Sequence, residues 1–147
     1  MKNVHQLTLS ATLTLAALTC WAADEAGTVK ISKGLVHVER ASERIDAPVG
    51  TRIFSSDRVI TGVDGAVGIT LRDNTLLSAG PNSVVDLNKF VFDSTTHAGT
   101  IDATVKRGTL SVISGKISKA SPESVRFSAP GMTLGVRGTS FLIDAGS

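Results

Sequence analysis

Between Asp57 and Leu87 apolar and polar positions alternate along the chain. Val67, Ile69 and Leu71 fall on one side and Gly68, Thr70 and Arg72 on the other, the two-residue period of a strand with one buried face. Asp64-Gly65 precedes that run and Arg72-Asp73-Asn74 follows it, and these turn residues predict a hairpin-like corner into a second apolar run at Leu76-Leu77. Gly80-Pro81-Asn82 turns the chain again, into Ser83–Leu87. Strands this closely spaced leave no room for a helix between them.

The flanking chain keeps the same habit. Thr28–Ser32 and Leu35–Arg40 are predicted strands around a Lys33-Gly34 turn, Ala41–Pro48 is charged and reads as a surface loop, and Gly50-Thr51 leads back toward the strand Arg58–Thr61. Further on, Phe90–Phe92 is apolar and Asp93–Ala98 has the composition of a loop. Ile101, Ala103 and Val105 then face away from Asp102, Thr104 and Lys106, as in a half-buried strand. Thr109–Ile113 follows, then the polar, basic stretch Ser114–Ser124, the pair Val125 and Phe127, and a turn at Ala129-Pro130-Gly131. Met132, Leu134 and Val136 share one side of the next strand, and Thr139–Asp144 is the last. Roughly eleven strands at short intervals, with no helix, predict an all-β domain.

Gly-Thr recurs at Gly27, Gly50, Gly99, Gly108 and Gly138, mostly where a strand should begin. Glycine supplies the positive φ of a tight corner and threonine favours the extended chain after it. Corners at short intervals, with an inward set dominated by Val, Ile, Leu and Ala, suit a β-solenoid or β-helix-like domain, and the irregular spacing keeps a β-sandwich open as the alternative.

Composition adds a compartment. Lys2 and His5 precede the twelve-residue apolar and small-residue run Leu7–Leu18, and Ala22-Ala23 offers small residues for cleavage, so residues 1–23 read as an export signal and 24–147 as a single domain. The exported chain is then 124 residues (147 less 23) with no transmembrane segment. Losing Lys2 leaves 14 basic against 13 acidic side chains. That balance lacks the clustered positive charge that phosphate neutralisation needs, and it argues against nucleic-acid binding. Cys20 and Trp21 fall within the signal, so the domain has no disulfide and no Trp or Tyr platform for stacking on sugars or bases. Ala17-Leu18-Thr19-Cys20 resembles a bacterial lipoprotein box, which makes a lipid anchor on Cys20 the alternative to a free periplasmic or secreted protein.

No catalytic constellation stands out. Asp57, Asp64 and Asp73 are too dispersed for a calcium loop and fit turn capping. His37 and His97 are the only histidines of the domain and lie far apart, and neither Gly-x-Ser-x-Gly nor Gly-x-Gly-x-x-Gly occurs. No cofactor or metal is expected. Arg137, between Gly135 and Gly138, is the sharpest chemical candidate, because its fork could reach a carboxylate or phosphate, though a corner bond to backbone carbonyls explains it as well. Lys106-Arg107 with Lys116 and Lys119 reads as a solvated basic face.

Two ordered blocks carry a resemblance to the FecR domain family. Asp57-Arg58-Val59-Ile60-Thr61, Asp64-Gly65, Arg72-Asp73-Asn74-Thr75 and Gly80-Pro81-Asn82-Ser83 resemble its "D-x-I-x-T" strand, "L-x-D-G-S" corner and "G-P-N-S" turn. Pro130 with Gly135-Val136-Arg137-Gly138-Thr139-Ser140-Phe141 resembles its second block, "T-P-x-x-x-x-G-x-R-G-T-x-F". Asn74 stands where glycine is usual, a replacement asparagine tolerates because it enters left-handed backbone readily. In its best-known members the family's domain is the periplasmic part of an anti-sigma regulator that contacts the signalling domain of an outer-membrane iron transporter. This chain is similar to a stand-alone exported version, without the cytoplasmic sigma-binding region. The resemblance implies a non-enzymatic domain that recognises an envelope protein in signalling. The alternative is an envelope structural or adhesive module binding peptidoglycan or surface polysaccharide, and self-association at uncovered strand edges is a further expectation.

Overall fold

The computed structural model describes residues 24–136, 138 and 140–147; the expected signal segment, with Cys20 and Trp21, and the motif residues Arg137 and Thr139 lie outside them. Among the described residues thirteen strands run in the order β1 (Glu25–Lys33), β2 (Val36–Arg40), β3 (Glu43–Asp46), β4 (Arg52–Phe54), β5 (Arg58–Thr61), β6 (Ala66–Leu71), β7 (Leu76–Ala79), β8 (Val84–Phe92), β9 (Gly99–Arg107), β10 (Thr109–Ile113), β11 (Val125–Ala129), β12 (Met132–Gly135) and β13 (Ser140–Asp144). One short helix, α1 (Lys116–Ala120), and a 3-10 turn at Pro122–Ser124 sit between β10 and β11. The fold is all-β.

The strands form two sheets. Sheet A has the order β13-β10-β7-β6-β1-β4 and sheet B the order β12-β11-β9-β8-β5-β2-β3. Neighbours are antiparallel except β9 and β11. The chain passes from β9 through β10 in the opposite sheet before returning as β11, so β9 and β11 run the same way. Alternation decides what lies between the sheets. Val67, Ile69 and Leu71 of β6 and Ile101, Ala103 and Val105 of β9 point inward and are buried in one core with Phe90, Phe127, Ile53 and Leu110.

Three local expectations need correction. The charged segment 41–48 is not a loop throughout, because Glu43–Asp46 forms β3 at the edge of sheet B, where one face and one edge meet water and charge is tolerated. Ser114–Ser124 contains α1, whose Ile117 is fully buried while the helix's polar residues face out. Met132 does not share a buried side with Val136: β12 stops at Gly135, and Met132 is exposed while Val136 is buried.

Glycine at two Gly-Thr corners answers to different needs. Gly108 has φ +81°, and a Cβ there would collide with Ser83. At Gly27, inside β1, a Cβ would strike the Thr70 carbonyl oxygen, so close approach and not φ excludes a side chain.

The turn between β2 and β3 is under strain. Ala41 and Ser42 have φ of 49° and 67°, the left-handed pair of a two-residue hairpin turn for which Asn-Gly is best suited. Replacing Ala41-Ser42 by Asn-Gly is expected to stabilise the domain by about 1 kcal/mol. A higher urea midpoint at unchanged slope would register the gain; an unchanged or lower midpoint would show that the turn is not strained.

Candidate functional site

Asp57 ends the turn between β4 and β5 and is 1% exposed. Arg40 at the end of β2 donates to it from Nε (2.8 Å) and Nη2 (2.7 Å), and the Phe54 N–H donates to Oδ2 at 2.8 Å. The Arg40 guanidinium also donates to the Arg52 carbonyl at 3.0 Å and lies 4.5 Å from the centre of the Phe54 ring. The hydrogen bond with Asp57 holds Arg40 above its ordinary pKa, against the opposing effect of partial burial. This is a planar fork matched to a carboxylate, and it ties the β2–β3 hairpin to the β4–β5 turn.

Asp73 plays a second tying role and is fully buried. It accepts from the Thr75 N–H (3.0 Å), the Thr75 hydroxyl (2.8 Å) and the Ile117 N–H (3.2 Å). The Lys116 N–H donates to the Asp73 carbonyl at 2.8 Å and the Gly115 N–H to Thr75 Oγ1 at 3.1 Å. A residue more than forty positions away in sequence therefore caps the first turn of α1, satisfying N–H groups that a helix start leaves free. Asn74 takes φ +68° at this corner, as its side-chain type permits.

The Gly80-Pro81-Asn82-Ser83 turn is locked in the same manner. Thr61 Oγ1 donates to the Gly80 carbonyl at 2.6 Å and accepts the Ser83 N–H at 2.9 Å, while Ser83 Oγ accepts the Thr109 N–H at 3.0 Å. Asn82 has φ +51°, and its N–H donates to the Gly62 carbonyl. Asp64 differs from the other two aspartates: it is exposed, and its one side-chain contact is the Leu35 N–H at 3.4 Å, beside Gly65. In the second block Pro130 lies in the β11–β12 turn, Gly138 has φ +155°, and the half-buried Phe141 packs edge-on against Phe127 with centroids 5.3 Å apart.

The described motif residues are thus brought to separate corners and not to one pocket. Among the residues that complete these corners, Thr75 stands in the quoted motif and Thr109 in the Gly-Thr rhythm, whereas Arg40 carries no signal of its own in the sequence. Among the described residues no group of three His, Cys, Asp or Glu side chains is placed to hold a metal. His37 is buried with Nδ1 unpartnered, and His97 is exposed and stacks on Phe92.

What the domain presents outward differs between the two sheets. Across sheet B, Arg44, Glu39, Arg58 and Asp86 stand side by side on successive strands, followed by Thr104, Ser128 and Thr133. Arg58 donates to both oxygens of Asp86, at 2.6 and 3.1 Å, and this hydrogen bond raises its pKa. An open cleft of about 370 Å³ lies over this ladder, lined by Glu39, Arg58 and Asp86 with the strained turn Ala41-Ser42. Across sheet A one row runs Leu142, Ser111, Ser78, Gly68, Ile31 and the next Ser140, Ile113, Leu76, Thr70, Thr28. The first row has no ionisable side chain and the second none before Arg52, which faces Thr28 on the edge strand β4; Leu142, Ile31, Ile113 and Leu76 are exposed. At the loop between β8 and β9, Asp93 accepts from the Thr95 and Thr96 N–H groups, which hold its carboxyl below the usual range.

A family model described as FecR protein matches residues 57–147. No curated protein matches the chain, and no solved structure does. Among the described residues no helix is long and apolar enough to cross a membrane.

Proposed function

The chain belongs to the FecR protein family, and from that premise we propose that it is an exported, non-enzymatic recognition domain of envelope signalling. Residues 1–23 direct export and are removed, leaving residues 24–147 periplasmic or secreted. The partner is an envelope protein, met through strand edges and through the loops Asp93–Ala98 and Ser114–Ser124.

One observation carries this reading. Asp57, Thr61, Asp73 and Ser83 are at most 2% exposed, and their side chains bond within the chain. The polar chemistry of these four motif residues is consumed in holding corners, so a partner meets strand edges and loops. Exposed edges offer main-chain donors and acceptors to an added segment.

Co-sedimentation of the purified chain with isolated cell wall separates this reading from a structural or adhesive module. The protein is expected to stay in the supernatant. Saturable pelleting that free polysaccharide reverses would replace recognition of a protein by attachment to the wall.

A further inference from the structure

Among the described residues sheets A and B together have four edge strands, and three of them carry the devices that discourage pairing. β4 is three residues long and begins with Arg52. β3 is charged at Glu43, Arg44 and Asp46. β12 follows Pro130-Gly131 and ends at Gly135. β13, Ser-Phe-Leu-Ile-Asp, has no Lys, Arg, Pro or Gly, and it pairs with β10 in unbroken register over all five residues. Short length, charge, proline and bulges are the usual protections of an edge, and β13 lacks them except for Asp144 at its end.

We infer that a second copy of this chain pairs with β13, antiparallel about Leu142. The direction of the free hydrogen-bonding groups fits. The Ala145 N–H donates to the Gly108 carbonyl, so the alternation along the strand turns Ile143 and Phe141 toward β10 and leaves the N–H and C=O of Leu142 pointing outward.

Charge selects the direction and the register. A parallel, in-register pair would set Asp144 against Asp144, and like charges directly opposite are destabilising. The antiparallel pair instead sets Asp144 against Ser140 of the second copy, Phe141 against its Ile143, and Leu142 against its Leu142. Leu142 is 67% exposed in the single chain and is the end of the uncharged row across sheet A, so its mate continues that row. On the inner side, Phe141 is only half-buried against Phe127, and Ile143 of the second copy would cover it. Both loops assigned to the envelope partner stay free, so this pairing stands or falls independently of that recognition.

Sedimentation equilibrium of the purified chain is expected to give twice the monomer mass. Leu142→Lys opposes two ammonium groups at the axis, and Leu142→Asp two carboxylates; each is expected to give the single-chain mass. Mixing the two variants should restore the doubled mass, because lysine then faces aspartate. Circular dichroism checks that each variant remains folded, and the exposed side chain leaves the core untouched. In the chain carrying Cys20→Ser, Leu142→Cys supplies the only thiol, and oxidation is expected to link two copies, since directly opposed residues of a hydrogen-bonded pair lie within disulfide reach at roughly 5.5 Å. Ile31→Cys, comparably exposed on the same face but four strands away, should stay unlinked. A monomeric wild-type chain, variants that keep the doubled mass, a mixture that fails to recover it, or equal linking from both cysteine positions would each overturn the inference.

Discussion

Replacing Asp73 by alanine is expected to cost about 3–4 kcal/mol of stability, because a buried acceptor is removed from three donors at once. The Thr75 N–H, the Thr75 hydroxyl and the Ile117 N–H lie within 3.2 Å of its carboxylate and far from water. Each bond to a charged acceptor is worth roughly 1.5–3 kcal/mol, and the three share one site, so their losses do not add in full. For a domain of this size the change should lower the melting temperature by on the order of 10 °C. Asp73→Asn keeps one acceptor oxygen and should lose about half as much. Hydrogen exchange should show the amides of Lys116–Ala120 opening first, since α1 loses its cap from the β6–β7 corner. A loss below about 1 kcal/mol for Asp73→Ala would mean that the corner is held by packing of Ile117 alone.

The second large effect is expected at Arg40. Arg40→Ala leaves Asp57, 1% exposed, with the Phe54 N–H as its remaining partner, and breaking a buried pair from one side costs about 3–5 kcal/mol. Arg40 is itself about one-third exposed, and water admitted at the vacated site should hold the loss near 3 kcal/mol. Arg40→Lys preserves charge but neither the fork nor the stacking over Phe54, and should recover only part of it. In a double-mutant cycle with Asp57→Asn, denaturant titrations should give a coupling energy of at least about 1 kcal/mol. Additive losses would show that the two side chains act separately.

The two corners explain how much of the domain was legible beforehand. Val67, Ile69 and Leu71 announced β6 because a half-buried strand must alternate, and Arg58–Thr61 and Thr109–Ile113 were readable for the same reason. Asp57 and Asp73 were readable as turn residues, yet their decisive partners were not. Arg40 lies seventeen residues from Asp57 and Ile117 forty-four from Asp73, and no local periodicity encodes contacts at that range. β3 was hidden because an edge strand wears the charge of a loop. α1 was hidden because five residues are too few to display a helical period, and its stability comes from Asp73 and the burial of Ile117. The difference between the two outer faces was also illegible: the charged row of sheet B and the uncharged row of sheet A exist only once register aligns residues from distant strands.

In the function we propose, motif residues build the scaffold while loops and edges meet an envelope protein. In-cell photo-cross-linking from positions within Asp93–Ala98 and Ser114–Ser124 tests it most directly. Both loops are expected to capture the same membrane-associated protein reproducibly, and capture is expected to persist when Leu142→Lys removes the contact between copies. Capture of cell-wall material alone, or of nothing beyond the chain's own copies, would contradict it.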